Sequence, residues 1–335
     1  MKAFNLKERI TGVLVGCALG DAMGMPTEML DREEIKKRFP GGIQTFESSI
    51  QQGGLGRTMQ AGQVTDDTLN TMFVAQMLID NAGVVDARSY IDRLSTWMSE
   101  NGESVAKMFG PSTTRAINSI RNGVPLEQAG MFGTTNGAAM RISPIGIVYD
   151  YRNAEELIDA VEQICIPTHN TSPAISCASA VAAAVSYVVR DGDDIGELWD
   201  VALDAARRGE QRGNAIPSAS VFVRMKSVRG LVEHEDEQMV VKKLQTFYGC
   251  GLESVETAPA AFAIISLAEG YPLEAARIAA NIGGDTDTLG AIAAAICGGM
   301  HPDISGELTD TLEDVNELDF DTTAEELAPL VHMAA

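Results

Sequence analysis

Ser172–Val189 reads SPAISCASAVAAAVSYVV, a stretch with no charged residue and no polar–apolar alternation. Its length is right for a helix and too great for a typical strand. Pro173 occupies the first-turn position where a missing N–H costs nothing. The alanines that fill it, like those of Ala291–Cys297, favour helix and let neighbouring axes approach closely. Aromatic residues are only 5% of the chain against 45% hydrophobic overall, so the core must be built from Ala, Leu, Ile, Val and Met.

Outward from that stretch, helices are predicted at Ile10–Met23, Asp66–Asn81, Asp86–Ser99, Ser112–Arg121, Asn153–Ile164, Ile195–Arg208, Ser254–Glu269, Pro272–Ile282 and Thr286–Cys297. Asp86, Ser112 and Asn153 read as N-caps. Only Ile142–Tyr149 has a β-like composition, and Pro144 interrupts it. Glycine-rich loops at Gly41–Gly42, Gly53–Gly56 and Gly133–Gly137 separate helices rather than domains. The expected fold is all-α, a single compact multi-helix domain over residues 1–335, with an acidic C-terminal segment at 303–335 taken as solvated surface.

The chain carries 25 basic and 47 acidic residues, a formal charge of −22. Such a chain has no general basic surface for nucleic acid or anionic membrane. No stretch is expected to span a bilayer, which needs roughly 20 apolar residues. Lys2, Lys7 and Arg9 ahead of Ile10–Gly16, with Leu14–Cys17 following, resemble a lipoprotein signal; Thr11 and Gly12 interrupt its apolar run, and cleavage would remove a helix. The five scattered cysteines lack a CxxC pair and read as buried thiols of a cytoplasmic protein.

Two acidic clusters carry the chemistry. Thr65-Asp66-Asp67-Thr68 opens one predicted helix, and Gly283-Gly284-Asp285-Thr286-Asp287-Thr288 opens another. Both offer hard oxygen donors and no soft ligand, which suits Mg²⁺, Ca²⁺ or Mn²⁺ better than zinc. If four carboxylates converge, cations between them must relieve the repulsion. The competing interpretation makes these residues helix N-caps and nothing more. The double glycine before Asp285 fits a backbone pressed against a ligand or metal. Asp21 lies in a small-residue run with Glu28 just beyond Pro26. Asn136–Arg141 is a small-residue loop able to approach a sugar or phosphate, and His169 is either a ligand contact or a structural hydrogen-bonder.

In order along the chain, Gly12–Glu28 (GVLVGCALGDAMGMPTE), Gly62–Leu69 (GQVTDDTL), Asn136–Arg141 (NGAAMR), Thr168–His169, Glu256–Phe262 (ETAPAAF) and Asn281–Gly290 (NIGGDTDTLG) resemble the ADP-ribosylglycohydrolase family. The resemblance spans roughly residues 8–299. It implies an all-α domain with two Mg²⁺ ions (or Mn²⁺) at the base of an ADP-ribose cleft. Thr65, Asp66, Asp67, Asp285, Asp287 and Thr288 would be the metal ligands, with Glu28, Asp66 and Asp287 catalytic. Asp21, Asn136, Gly137, Arg141 and His169 would serve the substrate. The implied activity is hydrolysis of the N-glycosidic bond between ADP-ribose and a modified, arginine-like side chain of a protein. Alternatives are an N-ribosyl hydrolase for a nucleoside or ribosyl phosphate, and a silent ADP-ribose-binding regulator. Val64 replaces an aromatic residue common in the family, and Gly298–Asp303 departs from its usual pattern. Phe109 and Phe132 are the candidates for stacking on adenine.

Overall fold

In a computed structural model of the chain, which describes residues 4–49, 58–101, 109–190 and 192–332, helix Leu6–Gly24 lies antiparallel along helix Thr286–Met300. Asn5 and Glu8 form a capping box that starts the first of these helices. Four glycines at intervals of four residues set the distance between the two axes. A Cβ on Gly12 would fall 2.1 Å from the Gly298 carbonyl oxygen, on Gly16 2.2 Å from that of Ala294, on Gly20 1.9 Å from that of Gly290, and on Gly24 2.3 Å from that of Thr286. No real side chain tolerates such contacts, so the backbones touch along one face of each helix. That register brings the end of the first helix beside the start of the other, where Asp285 and Asp287 sit.

Helix Ser172–Val189 runs through the centre, with every residue after Ser172 buried. Buried apolar side chains of nearly all helices join it in one contiguous core. Two helical stretches, Leu6–Thr27 and Ser172–Val189, are long and apolar enough to cross a membrane, contrary to the expectation from sequence; 94% of the most apolar 18 residues of each is buried inside the protein. Packing on all sides explains their uniform apolarity.

Most predicted helices stand within a few residues of their observed bounds, and no strand is present among the described residues beyond isolated bridges. Ile142–Tyr149 is a correction. Ser143–Val148 is a buried helix in which Pro144 takes a first-turn position instead of interrupting a strand. Gly110, not Ser112, occupies the N-cap of helix Pro111–Arg121. His169 ends helix Ala154–His169, three residues before helix Ser172–Val189 begins.

The acidic C-terminal segment is a larger correction. It forms helices Gly306–Asn316 and Phe320–Leu327, whose Leu312, Phe320, Ala324 and Leu327 are buried. Lys7 on the first helix reaches Asp321 at 2.9 Å and Glu325 at 3.2 Å. The charges face water, and the apolar stripe beneath them docks on the body.

Candidate metal centre and ligand cavity

The first acidic loop is held from behind. Asp21, fully buried, accepts the Thr65 N–H on both carboxylate oxygens at 3.0 Å. Its Oδ2 also takes the Thr68 N–H at 3.1 Å and the Thr68 hydroxyl at 2.6 Å. Asp21 therefore satisfies donors that helix Asp66–Asp80 leaves unpaired at its start. Thr65 is the N-cap residue, its hydroxyl accepting the Asp67 N–H at 3.3 Å. With the cap supplied by these two, Asp66 and Asp67 turn their carboxylates into a cavity. Neither Asp21 nor Thr65 lines it.

The second loop is held by backbone. Gly283 and Gly284 have φ of 88° and 90°, which favours glycine. The Met29 N–H donates to the Gly284 carbonyl at 2.7 Å, the Gly284 N–H to the Leu30 carbonyl at 2.9 Å, and the Asp285 N–H to the Cys250 carbonyl at 2.7 Å. A Cβ on Gly284 would lie 2.2 Å from that Cys250 oxygen. The double glycine is thus pressed against the chain's own backbone, not against a ligand. Asp285 sits at the N-cap of helix Thr286–Met300 without making a capping bond. Its Oδ2 instead accepts a hydrogen bond from the Asn136 amide.

Both loops open on one cavity of about 170 Å³. Glu28, Asp66, Asp67, Asp285, Asp287 and Thr288 line one wall, and Met29, Phe109, Pro111, Met140 and Leu252 supply its apolar surface. Carboxylate oxygens of Glu28, Asp285 and Asp287 lie within 4.8 Å of one another. Burial, then the neighbouring Asp287, hold the Asp67 and Asp285 carboxyls well above the ordinary range. The same two causes push Asp21 up to about 7.

The donor set fits a hard divalent cation. It is all oxygen, it is anionic, and Asp67 Oδ1 is buried with no hydrogen-bond partner among the described residues. A buried carboxylate oxygen with no donor facing it, in the midst of other carboxylates, is costly unless something positive sits there.

The remaining expected residues divide. Asn136 and Gly137 line the cavity, and the Asn136 amide also donates to Thr257 Oγ1 at 3.0 Å. Arg141 and His169 are fully buried and lie behind the loop. Arg141 donates to the Gly137 carbonyl and, at 2.8 Å, to Thr168 Oγ1, with its guanidinium 4.9 Å from the centre of the Tyr90 ring. His169 Nε2 meets Thr135 Oγ1 at 3.1 Å. Burial and the Arg141 charge hold its imidazole well below its usual pKa, so it is a neutral brace. Phe109 lines the cavity, whereas Phe132 is 72% exposed and does not.

Sequence reasoning missed Thr257, Thr113 and Met29. Thr257 was visible as a polar residue at the start of the apolar ETAPAAF helix, and Thr113 as a hydroxyl in the first turn after Pro111. Met29 gave no signal; its left-handed φ of 59° appears only in the fold.

Known proteins resemble this chain over most of its length. The family model described as ADP-ribosylglycohydrolase matches residues 3–334. The protein YegU of Escherichia coli (strain K12) is 35% identical over 324 residues, 96% of each chain. The ADP-ribosylarginine hydrolase Tri1 of Pseudomonas putida (strain GB-1) is 28% identical over 193 residues, 56% of this chain and 48% of that protein. A solved structure described as an ADP-ribosylglycohydrolase-related protein complex superposes with a TM-score of 0.73 at 22% identity, covering 98% of this chain and 99% of the other, and so shares the fold. The chain belongs to the ADP-ribosylglycohydrolase family.

Proposed function

We propose that this protein hydrolyses the N-glycosidic bond joining ADP-ribose to a modified, arginine-like side chain, with two Mg²⁺ ions held between the acidic loops. The observation that carries this reading is the meeting of Asp66 and Asp67 with Asp285 and Asp287 in one cavity, around an Asp67 oxygen with no hydrogen-bond donor among the described residues. Asp66, Asp67, Asp285, Asp287 and Thr288, which line the cavity, would hold the cations, with Thr65, expected as a ligand, capping the helix behind them. Bound there, such ions supply Lewis acidity and lower the pKa of water.

The side chains divide the remaining work. Breaking the bond builds positive charge on the ribose, which the carboxylates of Asp66 and Asp287 stabilise. Glu28, within reach of Asp285 and Asp287, is the group placed to take the proton of the attacking water. Asn136, donating to Asp285, fixes that carboxylate in place. Phosphate oxygens would find donors at the start of helix Pro111–Arg121, which has no side-chain cap and presents the buried Thr113 to the cavity.

One observation favours a second reading, a hydrolase for an uncharged nucleoside. Among the described residues that line the cavity there is no Lys, Arg or His. Turnover of ADP-ribosyl-arginine, other ADP-ribosyl linkages and plain nucleosides, each with Mg²⁺ and with chelator, separates the two. Release of ADP-ribose from the arginine conjugate, dependent on Mg²⁺, is expected; release of free ribose from nucleosides alone would transfer the assignment to the second reading.

A further inference from the structure

We propose that Asn316, at the end of the C-terminal helix Gly306–Asn316, is a positioning residue for the first acidic loop, making the acidic C-terminal segment part of the support of the cation site. This inference rests on the cation reading given above.

Residues 62–65 belong to no helix, yet they set the position of Asp66 and Asp67, which line the cavity. With Val64 packed in the core, the loop's remaining constraint is what its backbone groups bond to. The Asn316 carboxamide supplies both kinds of partner. Its Oδ1 accepts the Val64 N–H at 3.0 Å, and its Nδ2 donates to the Gly62 carbonyl at 2.8 Å. The same Nδ2 donates to the Leu312 carbonyl of its own helix at 2.8 Å, which fixes the rotamer. Gly62, at φ 82°, lies so close on that helix that a Cβ would be 3.0 Å from Thr311 Cγ2. Two consecutive N–H groups, Val64 and Thr65, are thus held by side chains from opposite ends of the chain, Asn316 and Asp21.

The helix bearing Asn316 is anchored independently of the loop. Leu312 is fully buried, and Glu313 accepts the Phe320 N–H at 2.9 Å. The next helix is tied to Lys7. Displacing Asn316 leaves those anchors in place and removes the hydrogen bonds that tie them to the backbone of the acidic loop. A side chain that orients ligands without touching the metal typically contributes about 10–100-fold to metal affinity.

The test is Asn316→Ala in the full chain, stripped with chelator, with two readouts: Mn²⁺ affinity by calorimetry and amide hydrogen exchange across Val64–Thr68. The expected result is Mn²⁺ affinity reduced about tenfold or more, with accelerated exchange confined to Val64–Thr68 in the metal-free protein. Affinity within twofold of wild type would overturn the proposal, whatever happens to the melting temperature. If Asn316→Ala does not fold, Asn316→Ser undergoes the same measurements. Should wild type itself take up no Mn²⁺, the cation reading falls; the exchange data then decide on the clamp alone, and unchanged exchange overturns it.

Discussion

The two acidic loops present the same kinds of side chain to one cavity, yet they are held there by different means. The Thr65–Asp67 loop hangs on side chains, the Asp21 carboxylate and the Asn316 carboxamide. The Asp285–Thr288 loop hangs on backbone, through glycine conformations that let it bond to Leu30 and Cys250. Carboxylates that repel one another need a rigid frame, and either kind of partner can supply it. The difference predicts which substitutions damage which loop.

The largest expected effect is on the carboxylates that both loops share in purpose. Asp285→Asn or Asp66→Asn should lower turnover by about 10³-fold or more while leaving the helical fold near intact. Initial rates and circular dichroism check this, and wild-type rates in either variant would refute the assignment. Asp67→Asn sharpens it further. In chelator it is expected to melt higher than wild type near neutral pH, because it removes an acid that ionises freely when unfolded but is penalised by burial among carboxylates when folded.

The backbone-held loop should break at its glycine. Gly284→Ala forces a Cβ onto the Cys250 carbonyl at a positive φ, and is expected to cost on the order of 3 kcal/mol in denaturant unfolding. Gly41→Ala, with nothing within 4 Å of the added carbon, is the control. Equal stability of the two variants would contradict the backbone account. The side-chain-held loop should break at Asp21. Asp21→Ala leaves two buried N–H groups unpaired, and about 1–3 kcal/mol for each is expected.

Acidity offers a milder test. Asp21 ionises near 7 in the folded chain, and Asp67 and Asp285 well above their usual range. A raised folded pKa means the neutral form is favoured by folding. That stabilisation is complete below the unfolded value, about 4, and is lost as pH rises through the folded values. In chelator the melting temperature should therefore fall as pH climbs from about 5 to about 8, and Mg²⁺ should flatten the decline. A profile identical with and without Mg²⁺ would tell against cations in the cluster. The smallest effect is expected at Glu317, which closes the Asn316 helix at a left-handed φ of 55°. Glu317→Gly should stabilise by about 0.5–1 kcal/mol without changing turnover.

What could be read from sequence follows the range of the forces involved. Helix Ser172–Val189 was legible because its composition and length are local properties, and its observed bounds match. The paired acidic clusters were legible as chemistry, and the family motifs supplied the idea that they meet. The glycine series at 12, 16, 20 and 24 was also available, since four-residue spacing puts all four on one helix face; its meaning depended on knowing the partner helix. The double glycine at 283–284 announced a close neighbour without saying which one. For Arg141 and His169 the resemblance implied substrate contact, and the residues alone left His169 open, because polar residues beside a small-residue loop look alike whether they face the cavity or brace its wall. The C-terminal helices were hidden because their polar residues outnumber the few apolar positions that dock, and Asn316 acts on a loop some 250 residues away.

The central claim is that the two acidic loops grip divalent cations together, and calorimetric titration of the chelator-stripped protein with Mn²⁺ tests it most directly. The expected result is uptake of two equivalents in wild type, with uptake abolished or sharply reduced in Asp67→Asn and Asp285→Asn alike. Absence of uptake in wild type, or uptake untouched by a substitution in either loop, would contradict it.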